Sequence, residues 1–476
     1  MKRIILIIAL CLVSVILSAK ITLAPVIGDN MVLQQSSDVA LWGSAKPDSK
    51  VEITVSWAKG KTVVHSDADG RWIARVFTPS AGGPYEMTFS DGEELTVRNV
   101  LIGEVWICMG QSNMEMRMRG LSGQPVAGAV DLIFSARPST LIRSCNIKRQ
   151  VSLKPEEVCE AIWSENTPSG VADASAVAYF FAKYLYEALG IPVGIINASW
   201  GGTPIESWMS REILEAEFAT ELQMQHYAAG KLPAKGPQFA AGALYNGMLH
   251  SLIPFTAKGF IWYQGCANRG KWEQYKRLQP AFVRMLREKW GNKRMPFYFT
   301  QIAPYQYNDP QRREAGYMMW AQAQTLEMIP HSGMAATHDV GELACIHPSR
   351  KKEVGERLAY LALENDYGID EIDASTPMPK QFEFHDGAAF VKFDAGRLGL
   401  TPINMEIDGP FEVAGEDKVF YPAKAMIEKD RRSIKVYSHF VSNPVAVRYG
   451  MRNWSEASLF NCYGIPVTPF RSDDWR

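Results

Sequence analysis

Four residues of this chain have the types needed to cleave an ester together: Ser112, Gly201, Asn268 and His347. Each lies just beyond an apolar run that reads as a strand. Met109-Gly-Gln-Ser-Asn-Met114 follows the first run, Ala198-Ser-Trp-Gly-Gly-Thr-Pro204 the second and Gln264-Gly-Cys-Ala-Asn268 the third. Cys345-Ile-His-Pro348 lies past the fifth and opens a helix near Ser349. A serine hydroxyl is a weak nucleophile and needs a base within hydrogen-bond reach. His347 is the candidate base, and afterwards the acid for the departing alcohol. The oxyanion of the tetrahedral intermediate needs converging donors, and the Ser112 N–H, the Gly201 N–H and the Asn268 side chain could supply them. Glycine at 201 lets a backbone N–H approach a ligand with no side chain in the way.

Taken singly, each residue has a plainer reading. A Gly-Gln-Ser-Asn stretch makes a turn or a helix cap. His347 before Pro348 punctuates a helix start, where proline is favoured. Asn268 suits a turn and Gly201-Gly202 a bare loop. What gives the set weight is its placement at strand ends on one sheet edge, where ligands bind in open α/β sheets. The nucleophile-elbow pattern G-x-S-x-G fails, because Met114 stands at the second glycine.

The elements that must position these residues alternate. Strand-like runs at Glu104–Met109, Val193–Asn197, Gly259–Gln264, Pro296–Gln301 and Gly333–Asp339 are separated by helical patterns at Ala172–Leu189, Arg211–Ala228, Lys271–Trp290 and Gln311–Ile329. A further helical pattern covers Lys351–Glu364. Continuous apolar strands alternating with helices predict a doubly wound, mostly parallel α/β sheet at 101–368. Before it, short strands with Gly, Pro and Asp punctuation predict a β-sandwich-like domain at 20–100, and strand patterns return in a β-rich module at 369–476. With 476 residues, two or three domains are expected.

Composition narrows the class. Hydrophobic residues make up 47% and charged residues 21%, which are globular values and exclude disorder as the dominant state. Fifty Lys+Arg stand against 51 Asp+Glu, so there is no basic field to hold nucleic acid. Lys2 and Arg3 precede an apolar run from Ile4 to Leu17 that ends in Ser18-Ala19, the pattern of a secretory signal. The run is too short to span a membrane as a helix. Residues 1–19 are therefore expected to be removed, and the protein is expected to be periplasmic, secreted or lumenal. Cys11 leaves with the signal, so six of the seven cysteines remain. No C-x-x-C or H-E-x-x-H spacing occurs, so no zinc ribbon or zincin site is suggested.

The chain resembles the sialate O-acetylesterase family, a branch of the SGNH/GDSL hydrolases. The matching phrases are Gly103-Glu-Val-Trp-Ile-Cys-Met-Gly-Gln-Ser-Asn-Met114, Ser199-Trp-Gly-Gly-Thr-Pro-Ile-Glu-Ser-Trp208, Tyr245-Asn-Gly-Met248 and Ile261-Trp-Tyr-Gln-Gly265. Ile346-His-Pro348, Val354-Gly-Glu-Arg-Leu-Ala359 and Pro469-Phe-Arg-Ser-Asp-Asp-Trp475 continue the match in order. The resemblance implies an SGNH-like α/β core with β modules on either side, catalytic Ser112 and His347, and oxyanion donors at Gly201 and Asn268. It also implies O-acetylated sialic acids or related sugars as substrates, and no metal or organic cofactor.

Two positions depart from the family pattern. Cys266 stands where the family usually has Glu after Gln-Gly, and Ala344 stands where the superfamily's triad Asp precedes the His by three residues. That Asp fixes the imidazole tautomer, and its replacement by Asn in a serine protease is a known case of a roughly 10⁴-fold loss of turnover. Asp339 or Glu342 is the candidate replacement from the same loop, and a Ser–His dyad resting on a backbone carbonyl is the alternative. Cys266 and Cys345 both fall near the active edge. A disulfide between them is expected in an exported protein, with two separate buried thiols as the alternative. A glycan esterase of other specificity, such as an acetylxylan esterase, and a sugar-binding protein on a decayed esterase scaffold stay open at this point.

Overall fold

The computed structural model describes residues 20–371 and 373–475, so the expected signal at 1–19 lies outside the described residues. Its longest strand, β1 (Glu94–Gly110), carries Val105, Ile107 and Met109 into one core and Trp106 and Cys108 into another, the two-residue alternation of a strand buried on both faces. Parallel to it on one side runs β4 (Val193–Ser199), then β2 (Ile142–Ile147), with β3 (Ala161–Ser164) antiparallel at that edge. On the other side come β5 (Gly259–Tyr263), β6 (Phe297–Thr300) and β7 (Ser332–Ala335), all parallel.

The register positions the chemistry. Gly110 is opposite Ser199 on β4 and opposite Tyr263 on β5, so the three strands end together and their following loops share one edge. Helices cover both faces. The α2 (Ala176–Leu189) and α5 (Lys351–Asp366) helices pack with Trp106, Ile195 and Tyr298, whereas α3 (Trp272–Lys289) and α4 (Glu314–Gln324) pack with Ile107, Trp262 and Phe299. The first helix, α1, is a single turn at Ser112–Glu115.

Three details differ from the sequence reading. The two strands expected at Glu94–Asn99 and Glu104–Met109 are one, because Gly103 between them stays within the strand, where it passes so close to the Pro192 carbonyl that a Cβ would lie 2.0 Å from its oxygen. Its first half pairs with Gly82–Ser90 of the N-terminal module, and the first core runs without interruption from that module into the α/β unit. Strands β2 and β3 were not expected: Arg143, Ser144 and Asn146 interrupt the apolar pattern, and Arg143 is buried because Glu165 pairs with it. Arg211–Ala228 is two short helices, Arg211–Glu217 and Gln225–Ala228, since the chain turns at Phe218 to bury both Phe218 and Leu222. Beyond α5, seven antiparallel strands from Met378 to Arg471 form a sheet around a separate core that includes Val391, Phe411, Val436 and Tyr449.

Candidate active site

Gly110 ends β1 at φ 144°, and a Cβ there would meet the Tyr263 carbonyl oxygen at 2.2 Å. Only glycine allows the strand to turn so sharply against its neighbour. Gln111 follows, buried, and its Oε1 accepts from the Gly265 and Ala267 amides at 3.3 and 3.4 Å, tying this turn to the loop after β5. Ser112 is then the first residue of α1, where a backbone N–H has no acceptor within the helix.

His347 reaches this serine from the loop before α5. Its Nε2 lies 2.7 Å from Ser112 Oγ, and its Nδ1 lies 2.6 Å from Gln124 Oε1. A glutamine carbonyl oxygen only accepts, so Nδ1 carries the proton and Nε2 is left as the acceptor for the serine hydroxyl. Gln124 is itself held in a tight turn by paired backbone bonds with Leu121, 2.9 Å each way. Burial lowers the affinity of His347 for a proton below that of an ordinary histidine, and the nearby Lys351 charge lowers it further. The imidazole is thus favoured as a neutral base.

Lys351 sits behind the pair. Fully buried, its Nζ donates to Asn113 Oδ1, and Asn113 Nδ2 donates to the Ile346 carbonyl at 3.0 Å. The residue after Ser112 is therefore fastened to the residue before His347. Burial pushes the Lys351 ammonium down to about 7, against the opposing pull of Cys345, Cys266 and Glu342.

On the other side of Ser112 stands Gly201. A Cβ at this position would lie 3.3 Å from Ser112 Cβ and 3.2 Å from Glu115 Oε2, so glycine is what the spacing admits. The Gly201 N–H donates to Glu115 Oε2 at 2.8 Å, and Glu115 Oε1 accepts from Arg149 Nε at 2.6 Å. Asn268 is buried in the loop after β5. Its Oδ1 accepts from the Ile205 amide and from Gln264 Nε2, at 3.0 and 2.7 Å, while its Nδ2 donates to Glu206 Oε2 at 2.8 Å. Beside this row opens a cleft of about 630 Å³ lined by Glu206, His226, Lys231, Phe239 and Lys271 among others. Its Phe239 ring lies 3.6 Å from where a Cβ on Gly202, the residue after Gly201, would stand.

The arrangement is one that can support acyl transfer, and residues 102–364 match the family described as carbohydrate esterase, sialic acid-specific acetylesterase. The chain belongs to that family. It is similar to the sialate O-acetylesterase of Homo sapiens, 28% identical over 400 residues that cover 76% of this chain and 74% of the relative. The Mus musculus sialate O-acetylesterase is 25% identical over 524 residues, 94% of this chain and 93% of its own. Among solved structures, that of a novel carbohydrate acetylesterase from Xanthomonas citri superposes with a TM-score of 0.86 at 32% identity, covering 96% of this chain and 100% of the other. The protein is an esterase, and its substrates are carbohydrate esters.

Within this carbohydrate esterase, the sequence reading brought Ser112 and His347 together and placed Gly201 beside them. The histidine's partner comes from a different loop than the one expected, at Gln124. Nδ1 is taken by Gln124, and both Asp339 carboxylate oxygens accept from Arg357, at 2.7 and 2.6 Å. Glu342 is also engaged elsewhere, its Oε1 accepting from the Ser349 amide and hydroxyl. The expected disulfide is absent as well, and Cys266 and Cys345 are free thiols. The Cys345 thiol turns back to the His347 carbonyl at 3.2 Å, whereas Cys266 is buried beside Tyr307. Gln124, Glu115, Arg149 and Lys351 escaped the sequence reading. None carries a local signal; His347 lies outside the helix that Lys351 begins, so no helical spacing links the two.

Proposed function

We propose that this esterase removes O-acetyl groups from sialic acids or closely related sugars through an acetyl-serine intermediate. The observation that carries the reading is the unbroken chain Ser112–His347–Gln124, with a neutral imidazole facing the hydroxyl. As Ser112 Oγ attacks the acetyl carbonyl, His347 Nε2 takes its proton. The Gln124 carbonyl holds Nδ1–H and steadies the imidazolium as a dipole, where a triad Asp would do so as a charge. The oxyanion is expected to be met by the N–H groups of Ser112 and Gly201 and by the second Nδ2 hydrogen of Asn268.

His347 then returns the proton to the sugar oxygen, which leaves as an alcohol. Water attacks the acetyl-serine with the same imidazole as base, acetate departs and Ser112 recovers its proton. An acetate ester has a better leaving group than an amide, so the neutral orienter at Gln124 suffices for it. The decayed-scaffold alternative finds no support in this geometry, since a glutamine fills the place of the missing aspartate. The relatives named sialate O-acetylesterase favour sialic acids over xylan as the sugar. We also read residues 1–19 as an export signal, with the enzyme acting outside the cytoplasm.

The test is acetate release from a panel of O-acetylated sialic acids and acetylated xylo-oligosaccharides, by wild type and by Ser112→Ala. Release from the sialic acids that the variant lacks supports the proposal. Preference for the xylo-oligosaccharides moves the enzyme to another glycan, and equal slow release by both proteins refutes the serine mechanism.

A further inference from the structure

The Gly201 N–H has an occupant. Glu115 Oε2 accepts it at 2.8 Å, on the side where Ser112 lies, as shown by the positions 3.2 and 3.3 Å from the Gly201 Cβ site. An oxyanion and this carboxylate cannot both take the same hydrogen, and two negative charges at one donor repel. Glu115 is held there from outside. Its Oε1 accepts from Arg149 Nε at 2.6 Å and from Arg149 Nη2, and the Arg149 guanidinium lies 5.4 Å from the centre of the Trp200 ring, immediately before Gly201. The Glu115 side chain is mostly covered, whereas that of Arg149 is 52% exposed. Solutes therefore reach the arginine more readily than the carboxylate it holds.

We propose that Glu115 and Arg149 form a specificity gate: Glu115 caps the Gly201 donor in the resting enzyme, and a sugar bearing its own carboxylate releases the cap by taking over Arg149. A guanidinium binds carboxylates in a two-pronged fashion, so the sugar's carboxylate competes directly with Glu115 for the same N–H groups. Once exchanged, Glu115 swings toward solvent and the Gly201 N–H is open to the oxyanion. Neutral acetyl esters cannot make the exchange and meet a capped donor. Acidic and neutral sugars are thus separated in the transition state, where discrimination acts on kcat/KM. This inference rests on the acetylesterase reading above and on Gly201 as an oxyanion donor.

The experiment measures p-nitrophenyl acetate hydrolysis, and acetate release from an O-acetylated sialic acid and its methyl ester, with Ser112→Ala as the background. Glu115→Ala and Glu115→Leu, which carry no acceptor for the Gly201 N–H, are expected to hydrolyse p-nitrophenyl acetate about three- to tenfold faster than wild type, because an uncapped donor is available to every substrate. Wild type is expected to favour the free acid over the methyl ester by about tenfold or more, and Arg149→Met to bring that ratio close to one. Circular dichroism and melting temperature establish that each variant is folded, and Glu115→Leu keeps most of the side-chain bulk should Glu115→Ala not fold. No gain in either folded Glu115 variant, or equal use of acid and methyl ester by wild type, overturns the gate. Wild type no faster than Ser112→Ala overturns the esterase reading instead, so the two failures are told apart.

Discussion

Gln124 Oε1 accepts the Nδ1 proton of His347 at 2.6 Å across 223 positions of sequence. In the proposed mechanism this contact takes the task that an aspartate three residues before the histidine performs in related hydrolases, but with a dipole in place of a charge. A carboxylate would favour the imidazolium and raise its pKa. The amide fixes the tautomer without doing so, and burial and Lys351 are left to hold His347 below the ordinary histidine value.

Replacing Gln124 should therefore separate orientation from charge. Gln124→Ala removes one neutral hydrogen bond and is expected to lower kcat/KM about tenfold, the kinetic equivalent of about 1.4 kcal/mol. Gln124→Glu should retain most activity at neutral pH and shift the acid limb of the pH profile upward, because a carboxylate stabilises His347 in its protonated form. A pH series of kcat/KM for the three proteins checks both expectations. An unchanged acid limb in Gln124→Glu would contradict the contact.

Asp339, the nearer and more obvious carboxylate in sequence, serves stability. Its ion pair with Arg357 is largely buried, with side chains 15% and 8% exposed, and it fastens the loop after β7 to α5. Asp339→Asn should cost about 2–3 kcal/mol, since removing one partner leaves a charge buried with weaker compensation. Activity per folded molecule should hold at temperatures where the variant remains native. Denaturant unfolding paired with esterase assays distinguishes this from an orienting role, which would cost turnover first.

The difference between these two residues explains how much could be read in the sequence. The central strands, their helices and the serine and histidine announced themselves through apolar periodicity and strand-end placement, both of which are local patterns. Gln124 lies in an irregular loop between Gly120 and Pro125, where no periodicity points to a partner more than two hundred residues away. Strand β2 was hidden for a related reason: its buried Arg143 looks like a surface residue until Glu165 is brought beside it by the fold. Cys266 and Cys345 misled because membership of one site edge does not fix the direction in which each thiol points.

Gly110 offers a sharper test of the turn that presents the nucleophile. At φ 144°, with the Tyr263 carbonyl oxygen 2.2 Å from the Cβ position, the three atoms nearest any new side chain are all Tyr263 backbone. Gly110→Ala is expected to cost about 3 kcal/mol or more, combining the left-handed strain with a displaced strand pair. Lower soluble yield and an early unfolding midpoint are the readouts. A fully active variant of native stability would mean that the strand end is far softer than its register with β5 suggests.

Lys351 links the pH behaviour of the site to its architecture. Its Nζ reaches Asn113, Asn113 reaches the Ile346 carbonyl, and the groups that act on the ammonium are Glu342, Cys345 and Cys266. A nearby cation penalises imidazolium, so its removal lets His347 protonate at higher pH. Lys351→Met, which keeps the apolar stem, should accordingly move the acid limb of kcat/KM upward toward the ordinary histidine value of 6.5 without passing it, because burial still opposes the charge. Stability should respond in the same variant. An ammonium whose pKa falls from 10.5 in the free side chain to about 7 in the folded protein makes the wild type lose stability as pH drops through that interval. Lys351→Met has no such group, so its melting temperature relative to wild type should be higher at pH 7 than at pH 10. Acid limbs that coincide, together with a melting difference that does not change with pH, would mean that the lysine is neither charged nor felt at this site.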